Sequence, residues 1–230
     1  MKYNIKINKV KGDESNVKGF ATVTFSDSLV VRNIAIVKNG EGKLFVSMPS
    51  QRSNEVNEKG EPVYNDVCNP ITKEFYDEFT KNILEAFDKR ATLGKEGMDV
   101  NDGLGEKLNY TVKVTPLTRE DSSLRGIGRI YIEDKFVIGN VKLIEGSNGM
   151  FISMPDYRTD KLKDGKPVYR EIALPITKEC RENINKDIEK SYDEAIKKKN
   201  APKEAETKTA QKKEKTREKK KEELEPALAR

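Results

Sequence analysis

The sequence predicts an α+β fold made twice: two small antiparallel sheets of about four strands, each followed by a helix. Three observations carry that prediction. The chain matches itself at an offset of about 106 residues, too long a period for a solenoid and right for a duplicated domain. Each copy opens with apolar residues at period two. Each copy closes with apolar residues at i+4 steps.

The repeat is legible in four blocks. YNIKINKV (3–10) lies over YTVKVTPL (110–117), and residues 17–37 lie over 124–144. LFVSMPSQR (44–52) lies over MFISMPDYR (150–158), and residues 60–75 lie over 165–180. The copies span residues 1–91 and 108–197. They are joined by a Gly- and Asp-rich stretch, 92–107, that reads as a linker, and followed by a tail, 198–230.

In the first strand Tyr3, Ile5 and Ile7 alternate with polar residues, as do Tyr110, Val112 and Val114. The second strand puts Ala21, Val23 and Phe25 on one face, matched by Gly128, Ile130 and Ile132. Polar turns at 26–28 and 133–135 then predict hairpins, with Asp27 and Asp134 as turn residues. The third strand is expected to bury Val30, Ile34 and Ile36, and in the second copy Val137, Val141 and Leu143. The fourth follows glycine turns at 40–42 and 146–149 and stops at Met48-Pro49 or Met154-Pro155, because proline lacks the ladder donor. A loop is expected beyond it. Thr72 and Thr177 are the expected helix N-caps, and Glu74 and Glu179 suit the positive helix end. Phe75, Phe79, Ile83 and Phe87 form one apolar stripe; Cys180, Ile184, Ile188 and Tyr192 form the other.

Composition narrows function. The chain has 230 residues, no His and no Trp. Lacking His, it has no Ser-His-Asp triad and no His-containing zinc site. Asp66 and Glu171 recur singly and make no converging carboxylate pair, and no glycine loop of the phosphate-cradling type is present. No enzyme activity, catalytic residue, metal, cofactor or small-molecule substrate is expected. The start lacks a signal-peptide core and no window is long and apolar enough to span a membrane, so the expectation is a cytoplasmic protein with no membrane partner. Cys68 matches Ala173 and Cys180 matches Phe75, so each reads as a core residue and not as half of a disulfide.

At FVSMPSQR and VYNDVCNPIT the chain resembles the SpoVG family, the stage V sporulation protein G or septation regulator family of bacteria. Phe45, Val46, Met48, Pro49, Ser50 and Arg52 match its strand-end motif in the first copy, and Phe151, Met154, Pro155 and Arg158 in the second. Tyr64 and Tyr169 take the family's aromatic position and Arg170 the basic one after it. Asp66 and Glu171 keep the acid, and Pro70-Ile71 and Pro175-Ile176 the helix entry. Asn69 and Leu174 stand where the family has His, and Asn65 replaces the basic residue. The resemblance implies a domain that dimerises and binds DNA and RNA as a regulator of sporulation, septation or gene expression. Pairing of the copies within the chain and self-association between chains both stay open.

The candidate nucleic-acid contacts are Arg52, Arg158, Arg170 and Tyr157, past the fourth strand, because arginine beside an aromatic ring holds phosphate and stacks on bases. Tyr64 and Tyr169 are instead expected to pack on the core and anchor the helix entry. A second set lies toward the C-terminus: Lys197, Lys198, Lys199, Lys212, Lys213, Lys215, Arg217, Lys219, Lys220 and Lys221. Residues 197–230 hold 13 basic and 7 acidic residues, against 31 basic and 32 acidic in the rest, so the basic excess is in this low-complexity segment. It reads as an electrostatic arm for phosphate backbones or as a solvated, disordered or partly helical tail. The alternative function is a protein-interaction module, a fused pair without nucleic-acid affinity, which the near-neutral remainder favours.

Overall fold

A computed structural model describes residues 1–12, 14–93, 97–100, 107–118 and 121–199. The first copy runs β1 (Tyr3–Lys9), β2 (Val17–Phe25), β3 (Leu29–Lys38), β4 (Leu44–Ser47), β5 (Ser50–Val56), β6 (Pro62–Asp66), β7 (Cys68–Pro70) and α1 (Lys73–Leu93). β8 (Gly97–Val100) then pairs with β1, so part of the stretch that reads as a linker is an edge strand. The second copy runs β9 (Tyr110–Pro116), β10 (Leu124–Ile132), β11 (Phe136–Gly146), β12 (Gly149–Ser153), β13 (Asp156–Lys163), β14 (Lys166–Glu171) and β15 (Ala173–Pro175). It ends in α2, residues 178–199. The four expected strands and the helix are present in each copy, and the antiparallel α+β class holds.

The copies exchange strands. β15, from the second copy, pairs with β3 of the first; β7, from the first, pairs with β11 of the second. One sheet therefore reads β15-β3-β2-β1-β8, with β4 also on β3. The other reads β12-β11-β10-β9, with β7 also on β11. Backbone bonds extend the exchange symmetrically. Arg32 N–H donates to the Ile172 carbonyl and Gly139 N–H to the Val67 carbonyl, both at 2.7 Å. Ile71 N–H reaches the Lys135 carbonyl (2.7 Å) and Ile176 N–H the Ser28 carbonyl (2.8 Å).

The outer edge of β3 is shared. Leu29–Val31 pair with β15, and Ala35–Lys38 pair with β4. A bulge separates the two halves. Ala21 faces Ile34 while Val23 faces Val31, so β3 spends an extra residue there, and Asn33 takes φ 67°. β11 does the same at Asn140 (φ 54°), between Ile138 and Val141. Asn tolerates this left-handed geometry better than other side-chain-bearing residues. The bulge corrects the expected third-strand face. Uninterrupted alternation would have placed Val30 and Val137 on the core face with Ile34 and Val141. The extra residue flips the parity: Val31 and Ile138 join the central core, while Val30 is buried as expected but outside it and Val137 is half-buried.

The core is continuous across both copies. Phe136 of β11 lies 5.1 Å from Phe25 and 5.5 Å from Phe79, ring centre to ring centre, and is fully buried. Thr72 Oγ1 caps α1 by accepting from Phe75 N–H, and Thr177 Oγ1 caps α2 by accepting from Cys180 N–H, both at 3.2 Å. The α1 stripe is buried throughout; on α2 Cys180, Ile184 and Ile188 are buried and Tyr192 partly so. The far end of α1 closes onto β2 at Gly19, where an added Cβ would lie 3.1 Å from the Phe87 ring. Asn82 Nδ2 donates to the Tyr3 hydroxyl (2.9 Å), and the Tyr110 hydroxyl donates to Asp187 (2.8 Å). Burial pushes the Tyr3 hydroxyl up to about 12; burial, then the Asp187 contact, raises that of Tyr110. Both cysteines are free and buried.

Candidate functional site

Two arms leave the double sheet. Met48 and Pro49, and Met154 and Pro155, are buried at their bases. Each proline carbonyl accepts a bond from the end of the arm: Val67 N–H to Pro49 (2.8 Å) and Ile172 N–H to Pro155 (2.7 Å). Proline therefore ends the β4 and β12 ladders, as expected, and also pins the arm shut. Beyond each proline the chain forms a hairpin and not the expected loop. β5 pairs with β6, and β13 with β14, as two-stranded ribbons. The second has a signal in the sequence: Asp164-Gly165 (φ 51° and 73°) is a two-residue hairpin turn joining Lys163 to Lys166. The first closes over Asn57, whose Oδ1 accepts from Lys59 and Glu61 N–H, both at 2.9 Å.

Register decides which side chains meet, because directly opposed residues in an antiparallel pair share a face. Arg52 is opposite Tyr64, and Arg158 is opposite Tyr169. All four are exposed, the tyrosines at 61% and 58%. The expectation that Tyr64 and Tyr169 pack on the core is thus wrong: they lie outward on the ribbons, and Val67 and Ile172 fill the core there. Arg170 is opposite Tyr157, on the other face. Tyr157 packs against the core, so of the candidate contacts it is the least available to a ligand, while Arg170 is exposed.

Gln51 occupies the place of Tyr157 in the first arm. It donates to the Asp156 carbonyl and accepts from Asn140 Nδ2, the bulge residue of β11. The arms therefore start side by side, tied across the copies. Their charges differ. Residues 50–66 carry Arg52 and Lys59 against Glu55, Glu58, Glu61 and Asp66, a net of −2. Residues 156–171 carry Arg158, Lys161, Lys163, Lys166 and Arg170 against Asp156, Asp160, Asp164 and Glu171, a net of +1.

Lys197, Lys198 and Lys199 are exposed in the last turn of α2, and Lys199 Nζ lies 3.3 Å from Thr118 Oγ1. They belong to a helix that packs on the second sheet, not to the tail. Lys212, Lys213, Lys215, Arg217, Lys219, Lys220 and Lys221 lie outside the described residues. Among the described residues, no group of three His, Cys, Asp or Glu side chains is placed to hold a metal, and no helix is long and apolar enough to cross a membrane.

The family model described as SpoVG matches residues 1–89 and again 109–194. The chain belongs to the SpoVG family. It carries the SpoVG unit twice, with the strand exchange joining the two. Relatives named "Putative septation protein SpoVG" align at 37–39% identity. That of Macrococcus caseolyticus is 39% identical over 74 residues, 32% of this chain and 60% of that protein. That of Lachnospira eligens is 37% identical over 89 residues, 38% and 94% of the two chains. That of Aster yellows witches'-broom phytoplasma is 38% identical over 93 residues, 40% and 86%. Each alignment spans about one SpoVG unit of this chain.

Proposed function

We propose that the protein is a cytoplasmic SpoVG-type regulator that binds DNA or RNA through its paired arms, with septation or sporulation as the process served. The observation that carries this reading is the cross-strand pair in each arm, an exposed arginine directly opposite an exposed tyrosine. The guanidinium suits a phosphate and the ring suits an unstacked base, and the ribbon holds the two together. Gln51 ties the base of one arm to the base of the other, so a single-stranded ligand can reach both pairs. Lys197–Lys199 and the basic residues beyond them add affinity without sequence preference. No catalytic step is part of this reading.

Titration of labelled single- and double-stranded DNA and RNA at two salt concentrations tests it, because each phosphate contact adds to the salt slope. Binding that weakens steeply with salt, and that drops when Arg52 and Arg158 are both replaced by Ala, supports the arms. Repeating the titration on a chain ending at Lys199 measures what the tail adds; most non-specific affinity is expected to leave with it. No binding by the full chain at low salt overturns the reading in favour of a protein-interaction module.

A further inference from the structure

The copies differ where the helix of one meets a hairpin turn of the other. A cavity of about 400 Å³ opens between the β2–β3 turn of the first copy and the starts of β9 and α2 in the second. Buried Leu108 and Cys180 and half-buried Tyr110 form its inner wall, and exposed Asp27 and Glu179 lie at its mouth. The wall is fixed on each side. Ile176 N–H donates to the Ser28 carbonyl across the copies (2.8 Å), and the Tyr110 hydroxyl donates to Asp187 (2.8 Å). Thr177 Oγ1 holds the Cys180 N–H at 3.2 Å. The space is therefore formed before a ligand arrives, which spares the cost of ordering it.

The matching place in the other half is full. Met1 stands at the position of Leu108, Tyr3 at Tyr110, Phe75 at Cys180 and Asp134 at Asp27. Phe75 is 4% exposed. Its ring lies edge-on to Tyr3, 6.2 Å between centres, and 5.5 Å from Phe79. The second copy keeps the tyrosine but has a cysteine for the phenylalanine. One benzene ring is missing there, and the wall that faced it remains, because a packed site collapses only in part when a side chain is shortened.

We propose that this cavity binds a small aromatic amine, with its ring in the place that Phe75 fills in the first copy and its ammonium between the carboxylates at the mouth. The Tyr110 ring and the polarisable Cys180 sulfur give an aromatic guest the edge-on and sulfur contacts that rings favour. Asp27 and Glu179 against Lys107 leave a net charge of −1 among the lining side chains. The start of α2 returns only about half a positive charge. The balance stays negative, so a ligand ammonium is favoured over a carboxylate. Because the walls come from both copies, a bound ligand also ties the exchanged pair together. The site uses neither the arms nor the tail and stands apart from the nucleic-acid reading.

The test is backbone-amide NMR of the full chain, titrated separately with phenethylamine, phenethyl alcohol and phenylacetate. The expected result is saturable shifts at Ser28, Leu108, Cys180 and Asn183, with the amine tightest and the acid weakest. Cys180→Phe, which copies the first unit, is expected to abolish binding of all three. Cys180→Leu, a smaller filling of the same space, is expected to weaken all three and serves if the phenylalanine variant does not fold. Asp27→Asn suits the left-handed backbone there (φ 48°). It is expected to weaken the amine by up to about fivefold, the size of an exposed ion pair, and to leave the alcohol unchanged. No saturable shift at these amides, or affinity that survives both Cys180 variants, overturns the site. Phenylacetate or the alcohol binding as tightly as the amine overturns the amine as its ligand.

Discussion

The first arm, β5–β6, and the second, β13–β14, leave the same place in their copies, start from a buried Met-Pro and set an arginine opposite a tyrosine. Beyond that register they diverge. The first carries a net −2 and the second +1; Gln51 and Asn65 stand where Tyr157 and Arg170 do. The far ends of the copies diverge as well: Lys18 and Lys38 in the first stand where the paired Arg125 and Glu145 do in the second. What stayed alike is what the shared core requires: the prolines, the bulge asparagines and the exchanged strands. What changed is exposed charge, which the fold tolerates freely and a ligand feels. In one chain, two copies of a unit can divide a binding surface that an identical pair would have to duplicate.

The largest expected effect breaks the comparison at its root. Phe136 belongs to the second copy but packs on Phe25 and Phe79 of the first. Phe136→Ala should cost about 3–5 kcal/mol, as for other fully buried aromatics. Because the core is shared, both halves should lose stability together. Chemical denaturation followed by hydrogen exchange at β2 and β10 checks this. Destabilisation confined to β9–β12 would make the copies independent folding units.

Next in size are the arms. Tyr64→Ala and Tyr169→Ala should each weaken a single-stranded oligonucleotide by about 1–3 kcal/mol if the rings stack on bases. Replacing Arg158 and Arg170 together should lower the salt slope by up to about 1.4, and Arg52 alone by up to about 0.7. The second arm should therefore dominate. Equal losses from both arms would show that the charge difference between them is irrelevant to binding.

The bulges come third. Asn33→Ala and Asn140→Ala each force Ala into the left-handed region, at about 1–2 kcal/mol. Asn140→Ala should cost about 1 kcal/mol more, since it also removes the bond to Gln51 that ties the arms. Urea midpoints on the two variants measure the difference, and an equal cost would make the Gln51 tie energetically silent.

The sequence shows plainly whatever repeats locally. The alternation at Tyr3, Ile5 and Ile7, the helix stripes and the Thr72 and Thr177 caps need only neighbours in the chain, and each can be read at its own position. The exchanged strands cannot be read this way. Cys68–Pro70 and Ala173–Pro175 are three residues long, and their partners lie in the other copy. The bulges escape a periodic reading because a single Asn in a long apolar run carries little signal, yet it inverts the face of every residue beyond it. The arms are readable in part. Asp164-Gly165 marks a hairpin, but the charged residues flanking it hide the alternation that would name its strands. Tyr64 and Tyr169 mislead because proximity to a helix entry suggests burial, whereas the ribbon register turns them outward.

The smallest expected effect concerns the two tyrosines at the matching places in β1 and β9. The unfolded chain releases the Tyr3 proton near pH 10, its ordinary value, and the folded chain near about 12, because burial disfavours the phenolate. Between those values the unfolded state binds fewer protons. The stability linked to Tyr3 is therefore full below about pH 10 and is lost as pH rises through about 12. Tyr110 is raised for the same first reason, and the Asp187 carboxylate that accepts its proton adds to the effect. Tyr3→Phe and Tyr110→Phe each remove a hydrogen bond and so shift the level of stability at neutral pH. The alkaline slope isolates the titration. Urea midpoints measured from about pH 8 to about 11.5, a range that brackets the ordinary tyrosine value, should fall less steeply in each variant than in the parent chain. Parallel curves would mean that both hydroxyls titrate alike in the folded and unfolded chains. A flattening by Tyr3→Phe alone would show that the partly exposed Tyr110 is held by its carboxylate only weakly, and that burial, in which the two copies differ here, sets the shift.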